Sequence, residues 1–256
     1  MSDVKNKFLS SFLLLTLFIS LPTLAEGPSE LSSLNEIGKG PKTVSTPFLL
    51  KIAEISPTQF DVGSKEIQRR KKITGDLDEK VGKVVKGPGG VYYLIDGHHL
   101  TRARHELGHP DVTVTLVHDW SQMTEEKFWE KMTDPSAPLT YLFDATGKKR
   151  SYKELPKSIG QLSNDPYRSL AWYVRKAGGF KKGVVPFQEF QWANYFRKKF
   201  PNLTDNDIDF HLIAKKAVLL LQSGEARELG LPGARKKDYY EKNCQEIFTK
   251  LEALFN

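Results

Sequence analysis

The chain has 256 residues, enough for one large domain or two small ones, and its hydrophobic and charged fractions are those of an ordinary globular protein. Its net charge of +7 favours acidic partners such as nucleic acid, anionic lipid or envelope polyanions, without choosing among them. The single cysteine, Cys244, excludes an intrachain disulfide and argues against a structural zinc site.

The first 25 residues have the pattern of a secretory signal peptide. Lysines precede an apolar run over 8–21, which Pro22 breaks, and small residues end at Ala25. The run is too short to span a bilayer comfortably, and a retained membrane anchor is the alternative. We therefore expect an exported protein, periplasmic or secreted, with no membrane attachment after cleavage. Residues 26–46 are rich in Ser, Gly, Pro and Lys and are expected to form a flexible linker.

Strand and helix patterns alternate over 47–134, whereas helical patterns dominate 135–256. Strands are expected over 48–55, 83–86, 91–95 and 111–118, and helices over 62–73, 97–107 and 125–132. Further helices are expected over 165–178, 186–200, from 203 onward and over 236–255. The glycine-rich turn 87–90 is typical of a β-hairpin. The sequence thus predicts an α+β fold with an α/β domain over 47–134 and a mainly helical C-terminal region over 135–256.

The stretch Asp96-Gly97-His98-His99 lies where a strand pattern turns into a helix pattern. The first amides of a helix lack intrahelical partners and carry partial positive charge, so this turn is suited to an anion. Asp96 is a candidate cap for the first turn. Projected at about 100° per residue, His98 and Arg102 fall on an outward stripe opposite the aliphatic residues. We therefore expect a phosphate site at this turn.

Other interpretations of these residues have less support. Adjacent histidines point about 100° apart and spacing gives no third ligand, so a metal site is weakly indicated, although a divalent cation stays open. The sequence contains no nucleophile elbow, P-loop or dinucleotide glycine pattern. The aromatic residues of 187–196 are expected in a helix core. The basic run 69–72 is explained as well by a solvated helix face as by phosphate contacts.

Several stretches occur in an order that resembles the ParB-like nuclease branch of the ParB/sulfiredoxin fold. They are 55–59, 62–67, 83–85, 95–103 and 164–190, so the resemblance covers about residues 48–200. It implies a small mixed sheet with helices, in which the strand-to-helix turn holds nucleotide phosphate. Position 98 is histidine where sulfiredoxins carry their reactive cysteine, which excludes that activity.

These features predict a nuclease or phosphodiesterase that acts on nucleic acid or another phosphate-bearing ligand. His98 or His99 is expected to act as general base or acid, and Asp96 to orient one imidazole. Arg102 and the helix-start amides are expected to hold the phosphate.

The resemblance alone implies further binding residues. Gln59, Glu66 and Arg70 would form a second wall, and Gly97 would lie at the phosphate. One alternative is a non-enzymatic module that binds a nucleotide or a phosphorylated metabolite. The other, if the protein stayed in the cytoplasm, is a nucleotide-dependent small-molecule kinase.

Overall fold

The computed structural model describes residues 45–73, 77 and 80–255. The predicted signal peptide and nearly all of the predicted linker lie outside these residues. The strands are β1 (Phe48–Lys51), β2 (Ile55–Pro57), β3 (Asp61–Val62), β4 (Gly82–Lys86), β5 (Tyr92–Asp96), β6 (Asp111–Asp119) and β7 (Ser163–Asn164). The helices are α1 (Ser64–Lys72), α2 (His98–Glu106), α3 (Glu125–Met132), α4 (Pro166–Lys176), α5 (Gln188–Lys199), α6 (Asp207–Leu221), α7 (Glu225–Glu228) and α8 (Lys237–Phe255). The predicted α+β class is confirmed.

Five strands form one mixed sheet in the order β1-β6-β4-β5-β2, and β3 pairs with β7 in a separate parallel sheet. The strands β4 and β5 are antiparallel around the glycine turn, which confirms the predicted hairpin. The sheet is mixed because β6 runs parallel to β4 and β2 runs parallel to β5. Val84, Leu94 and Val114 on these strands are fully buried, and they share one core with Leu100 and Ala103 of α2. This apolar contact fixes α2 on the sheet.

The single strand expected over 48–55 is wrong. Residues Ile52–Glu54 form a 3₁₀ turn, and the Ile52 N–H donates to the Pro110 carbonyl at 2.9 Å. The turn separates β1, which pairs with β6, from β2, which pairs with β5, so the two pieces lie at opposite edges of the sheet. The sequence pattern hides the break because Ile52, the first residue of the turn, and Ile55, the first residue after it, are both buried.

The helical half has its own core, centred on large buried aromatic side chains. They include Phe180, Trp192, Phe196, Phe210 and Tyr240. Contacts cross the predicted boundary near 135, because α1 packs against both α2 and α4 and β3 pairs with β7. All of the described residues belong to one compact unit. Within the described part of the chain, no helix is both long enough and apolar enough to cross a membrane.

Candidate functional site

The turn between β5 and α2 depends on a glycine. Gly97 is the N-cap of α2 and has a φ of 97°, in the left-handed region that favours glycine. A Cβ atom at this position would lie 3.1 Å from the Gly82 Cα on β4. The expected cap by Asp96 is wrong, because no side chain caps this helix and the Asp96 carboxylate lies 3.7 Å from Lys83 Nζ. The first amides of α2 are therefore left to a ligand or to solvent.

His98 points into the protein and not outward, because the chain after β2 packs over this side of the helix as well. It is 5% exposed, and its Nε2 accepts a hydrogen bond from the Thr58 backbone N–H at 3.2 Å. The ring is also hydrogen-bonded to the Leu94 backbone. Burial, reinforced by His99 and Arg168, lowers the pKa of His98 to about 3. His98 is therefore neutral at physiological pH and fastens the segment after β2 onto β5.

His99 makes the corresponding bond to the start of α1. Its Nε2 accepts from the Gly63 backbone N–H at 2.9 Å and lies 3.4 Å from Glu66 Oε2. Because Nε2 is an acceptor, the proton of the neutral ring is on Nδ1. Burial, with the positive charge of Arg168, holds the pKa of His99 well below its usual value. His99 also lines a cleft, so its Nδ1–H is the donor that remains for a ligand.

That cleft has a volume of about 1010 Å³ and opens at the turn. Its predicted lining residues are Gln59, Glu66, Arg70, Asp96, Gly97, His98 and His99. Other parts of the chain contribute Lys80, Lys83, Arg168, Arg175, Lys182, Phe187, Glu189 and Phe190. Cationic side chains outnumber acidic ones, so the cleft favours anions.

The second wall implied by the resemblance does lie in the cleft. Arg70 donates from Nε at 3.0 Å and from Nη2 at 2.6 Å to Glu66 Oε1, and Glu66 is 3% exposed. The buried Gln59 donates from its Nε2 to the Asp61 carbonyl at 2.6 Å. Arg70, one helical turn away, thus neutralises the buried Glu66 carboxylate. This ion pair offsets the free-energy cost of removing the carboxylate from water.

Arg102 is the predicted site residue that the structure places elsewhere. Its Nη1 donates to the carbonyls of Ile159, Gly160 and Leu162 at 3.1, 3.0 and 2.9 Å. Its Nε donates to Glu106 at 2.9 Å. The guanidinium holds the 159–162 turn against α2, and Arg102 does not line the cleft. Its expected contact with phosphate is therefore corrected to a structural contact.

The cleft wall from α4 and α5 was missed from the sequence. Arg168 is 5% exposed and stacks on Phe190, with its Cζ 3.4 Å from the ring centroid. Arg175, which forms an ion pair with Glu189, follows on the same face of α4 about two helical turns later. The spacing of Arg168 and Arg175 is visible in the sequence and could have predicted a cationic face on this helix. Phe187 and Phe190 line the cleft, although they were expected in a helix core.

The described residues do not assemble an evident metal site. Among them, no group of three His, Cys, Asp or Glu side chains lies close enough to share a metal ion. The carboxylates that line the cleft are Glu66, Asp96 and Glu189, and the first and last of these are paired with arginines. A divalent cation would therefore need donors from its phosphate ligand as well.

A family model and a solved structure both match the chain, and the family model names a family. A family model described as "Putative ParB-like nuclease" matches residues 48–198. The crystal structure of protein Atu1540 from Agrobacterium tumefaciens is similar at 35% sequence identity with a TM-score of 0.67, covering 75% of this chain and 98% of that chain. No curated protein matches the chain. The family match spans every cleft residue named above.

Proposed function

The chain belongs to the ParB-like nuclease family, and on that premise we propose that its cleft binds nucleic acid and cleaves a phosphodiester bond. The observation that carries the proposal is the opening of the uncapped N-terminus of α2 into a cleft with a cationic lining. Helix N-termini and cationic side chains both bind phosphate. The net positive charge of the chain favours the same polyanion.

In the proposed reaction, a phosphate oxygen lies against the first amides of α2 and accepts a hydrogen bond from His99 Nδ1. Donors fixed in this way stabilise the negative charge that grows on the phosphate oxygens when water attacks phosphorus. Asp96, whose exposed carboxylate lines the cleft, accepts the proton of that water. As the water oxygen bonds to phosphorus, the bond from phosphorus to one sugar oxygen breaks, and that oxygen leaves as a hydroxyl after taking a proton from bulk water. His98 acts by positioning alone, because its Nε2 is occupied and its pKa of about 3 makes it a poor base.

The substitution His99→Gln should lower the cleavage rate about 100-fold, because it removes the donor at the Nδ1 position. The glutamine Oε1 can still accept from the Gly63 N–H, so the contact with α1 is kept. Initial rates on single-stranded DNA, duplex DNA and RNA, with and without Mg²⁺ or Mn²⁺, measure the effect. His105→Gln, at the exposed end of the same helix, should cleave as the wild type does. Wild-type rates in His99→Gln, or no cleavage by the wild type, contradict the proposal.

A substitution at Asp96 tests whether this carboxylate acts in turnover and not in binding. Asp96→Asn keeps the shape of the side chain and removes the proton acceptor, so turnover should fall while affinity for an uncleaved oligonucleotide is retained. Equal turnover in the variant and the wild type would exclude this carboxylate as the acceptor.

A second candidate is a phosphate-binding module without catalysis. It is favoured by the occupied Nε2 atoms of His98 and His99, since both rings are neutral and held by backbone N–H groups. Thermal-shift measurements with nucleotides, sugar phosphates and inorganic phosphate distinguish the two functions. Stabilisation by one of these ligands, together with no cleavage of any nucleic acid, would favour the binding module.

Export is part of the proposal and rests on the sequence of the first 25 residues, with their lysines, apolar run and small residues before Glu26. The mature protein should begin near Glu26. N-terminal sequencing of the protein recovered from the periplasm or medium tests this. An intact N-terminus in the cytoplasmic fraction would instead favour the kinase alternative.

A further inference from the structure

Arg168 stands out among the charged side chains of the cleft because it is buried and finds no hydrogen-bond acceptor among the described residues. It lies in the first turn of α4 and is 5% exposed. Its buried Nε and Nη1 atoms have no hydrogen-bond partner. The remaining nitrogen, Nη2, is not buried in this way, and the side chain lines the cleft.

The neighbouring arginines are arranged differently. Arg70 is paired with Glu66, Arg175 with Glu189 and Arg197 with Asp165. Within the described part of the chain, no carboxylate forms a salt bridge with Arg168. Stacking on Phe190 fixes the plane of its guanidinium without satisfying its N–H groups.

Burying a guanidinium without acceptors is costly, and proteins retain such a group where something else supplies the acceptors. The nearest acidic groups compensate Arg168 only in part. Burial raises the pKa of both Asp61 and Asp165, and the positive charge of Arg168 opposes this rise at each carboxyl. Asp165, however, already accepts from Arg197 at 2.5 Å. Burial nevertheless raises the pKa of Asp61 to about 7, so at neutral pH this carboxyl carries only part of a negative charge.

We propose that Arg168 binds the phosphate group of the ligand, opposite the α2 turn, so that the phosphate is held between the N-terminus of α2 and the arginine of α4. This inference rests on the proposed function for the identity of the ligand. A phosphate group supplies the acceptor oxygens that the guanidinium lacks, and planar arginine donors suit it better than an ammonium group does. The site therefore takes the phosphate group of a nucleic acid strand or of a mononucleotide.

The test measures binding without turnover. Isothermal titration calorimetry with inorganic phosphate and with a short 5′-phosphorylated oligothymidylate, whose linkages are phosphorothioates that resist cleavage, is carried out at low salt and pH 7. Arg168→Gln should weaken both interactions at least tenfold. Lys198→Gln removes the same charge from an exposed position on α5 outside the cleft and should change affinity less than twofold. Equal affinity for Arg168→Gln and the wild type, or no binding by the wild type, overturns the inference.

Urea unfolding establishes that each variant is folded. If Arg168→Gln does not fold, Arg168→Lys decides, since it keeps the charge but loses the planar donors and should still bind less tightly than the wild type. Wild-type affinity in that variant overturns the inference. Failure of this inference can be distinguished from failure of the proposed nuclease activity. Arg168-dependent binding without cleavage supports this inference and refutes nuclease activity. Cleavage by the wild type, together with unchanged affinity in Arg168→Gln, supports nuclease activity and refutes the role of Arg168.

Discussion

The substitution His98→Gln should make the protein's stability less sensitive to acid. In the wild type, the ring is neutral in both the folded and unfolded states above pH 6.5. Below that pH the unfolded chain binds a proton, whereas folded His98, with its pKa lowered to about 3 by burial, does not. Protonation therefore favours the unfolded state, and the stabilising contribution is lost as the pH falls from 6.5 towards 3. Glutamine should remove about 3 kcal/mol of this loss between pH 6.5 and 4.

The measurement is the free energy of unfolding in urea for wild type and variant at a series of pH values. Wild type and variant are compared at each pH, because protonation of Asp61 changes the stability of the fold in the opposite direction. Its raised pKa of about 7 favours the protonated carboxyl in the fold, so its contribution is lost as the pH rises. His109→Gln, at an exposed position beyond α2, should follow the wild-type curve. If His98→Gln also follows that curve, the buried neutral state of His98 is wrong.

The substitution Gly97→Ala should damage both the fold and the site. A φ of 97° is unfavourable for alanine, and the new Cβ would approach the Gly82 Cα to 3.1 Å. We expect a cost of about 1–3 kcal/mol in the free energy of unfolding. Affinity for the oligonucleotide should fall at least tenfold, because relief of the contact moves the first amides of α2. Urea unfolding and calorimetry measure the two effects separately.

The control for Gly97→Ala is Gly90→Ala in the β4–β5 turn. Gly90 has a φ of 79°, and a Cβ there would meet nothing closer than Lys86 Cε at 3.9 Å. This variant should have a similar backbone strain but unchanged affinity for the oligonucleotide. If both variants bind alike, the N-terminus of α2 has no part in binding.

Local signals were sufficient to predict the turn from the sequence. A β-strand pattern, a glycine and a helix pattern follow one another over 91–107, and the structure has β5, Gly97 and α2 in that order. The hairpin and α3 were likewise predictable, because each is bounded by its own turn or capping residues. The resemblance implied Gln59, Glu66 and Arg70 as binding residues, and the residues alone gave no reason for this. All three line the cleft, and their role in binding stays a prediction.

The directions of side chains in the turn could not be predicted from one helix. His98 is buried by Thr58, which is 40 positions away in sequence, and a helical projection contains no such partner. The projection likewise predicts a phosphate contact for Arg102, because its true acceptors, the carbonyls of the 159–162 turn, are distant in sequence. Arg168 was missed for the same reason, since its position at the cleft follows from the packing of α4 against α1.

The pairing of β3 with β7 has a consequence for synthesis on the ribosome. It joins Asp61 with Ser163 and Val62 with Asn164, so it closes a loop of about a hundred residues, and α4 begins directly after it. A nascent chain that ends before β7 has the glycine turn but neither Arg168 nor Arg175. Such a chain lacks the cationic wall of the cleft, so the cleft is complete only once translation has passed α5.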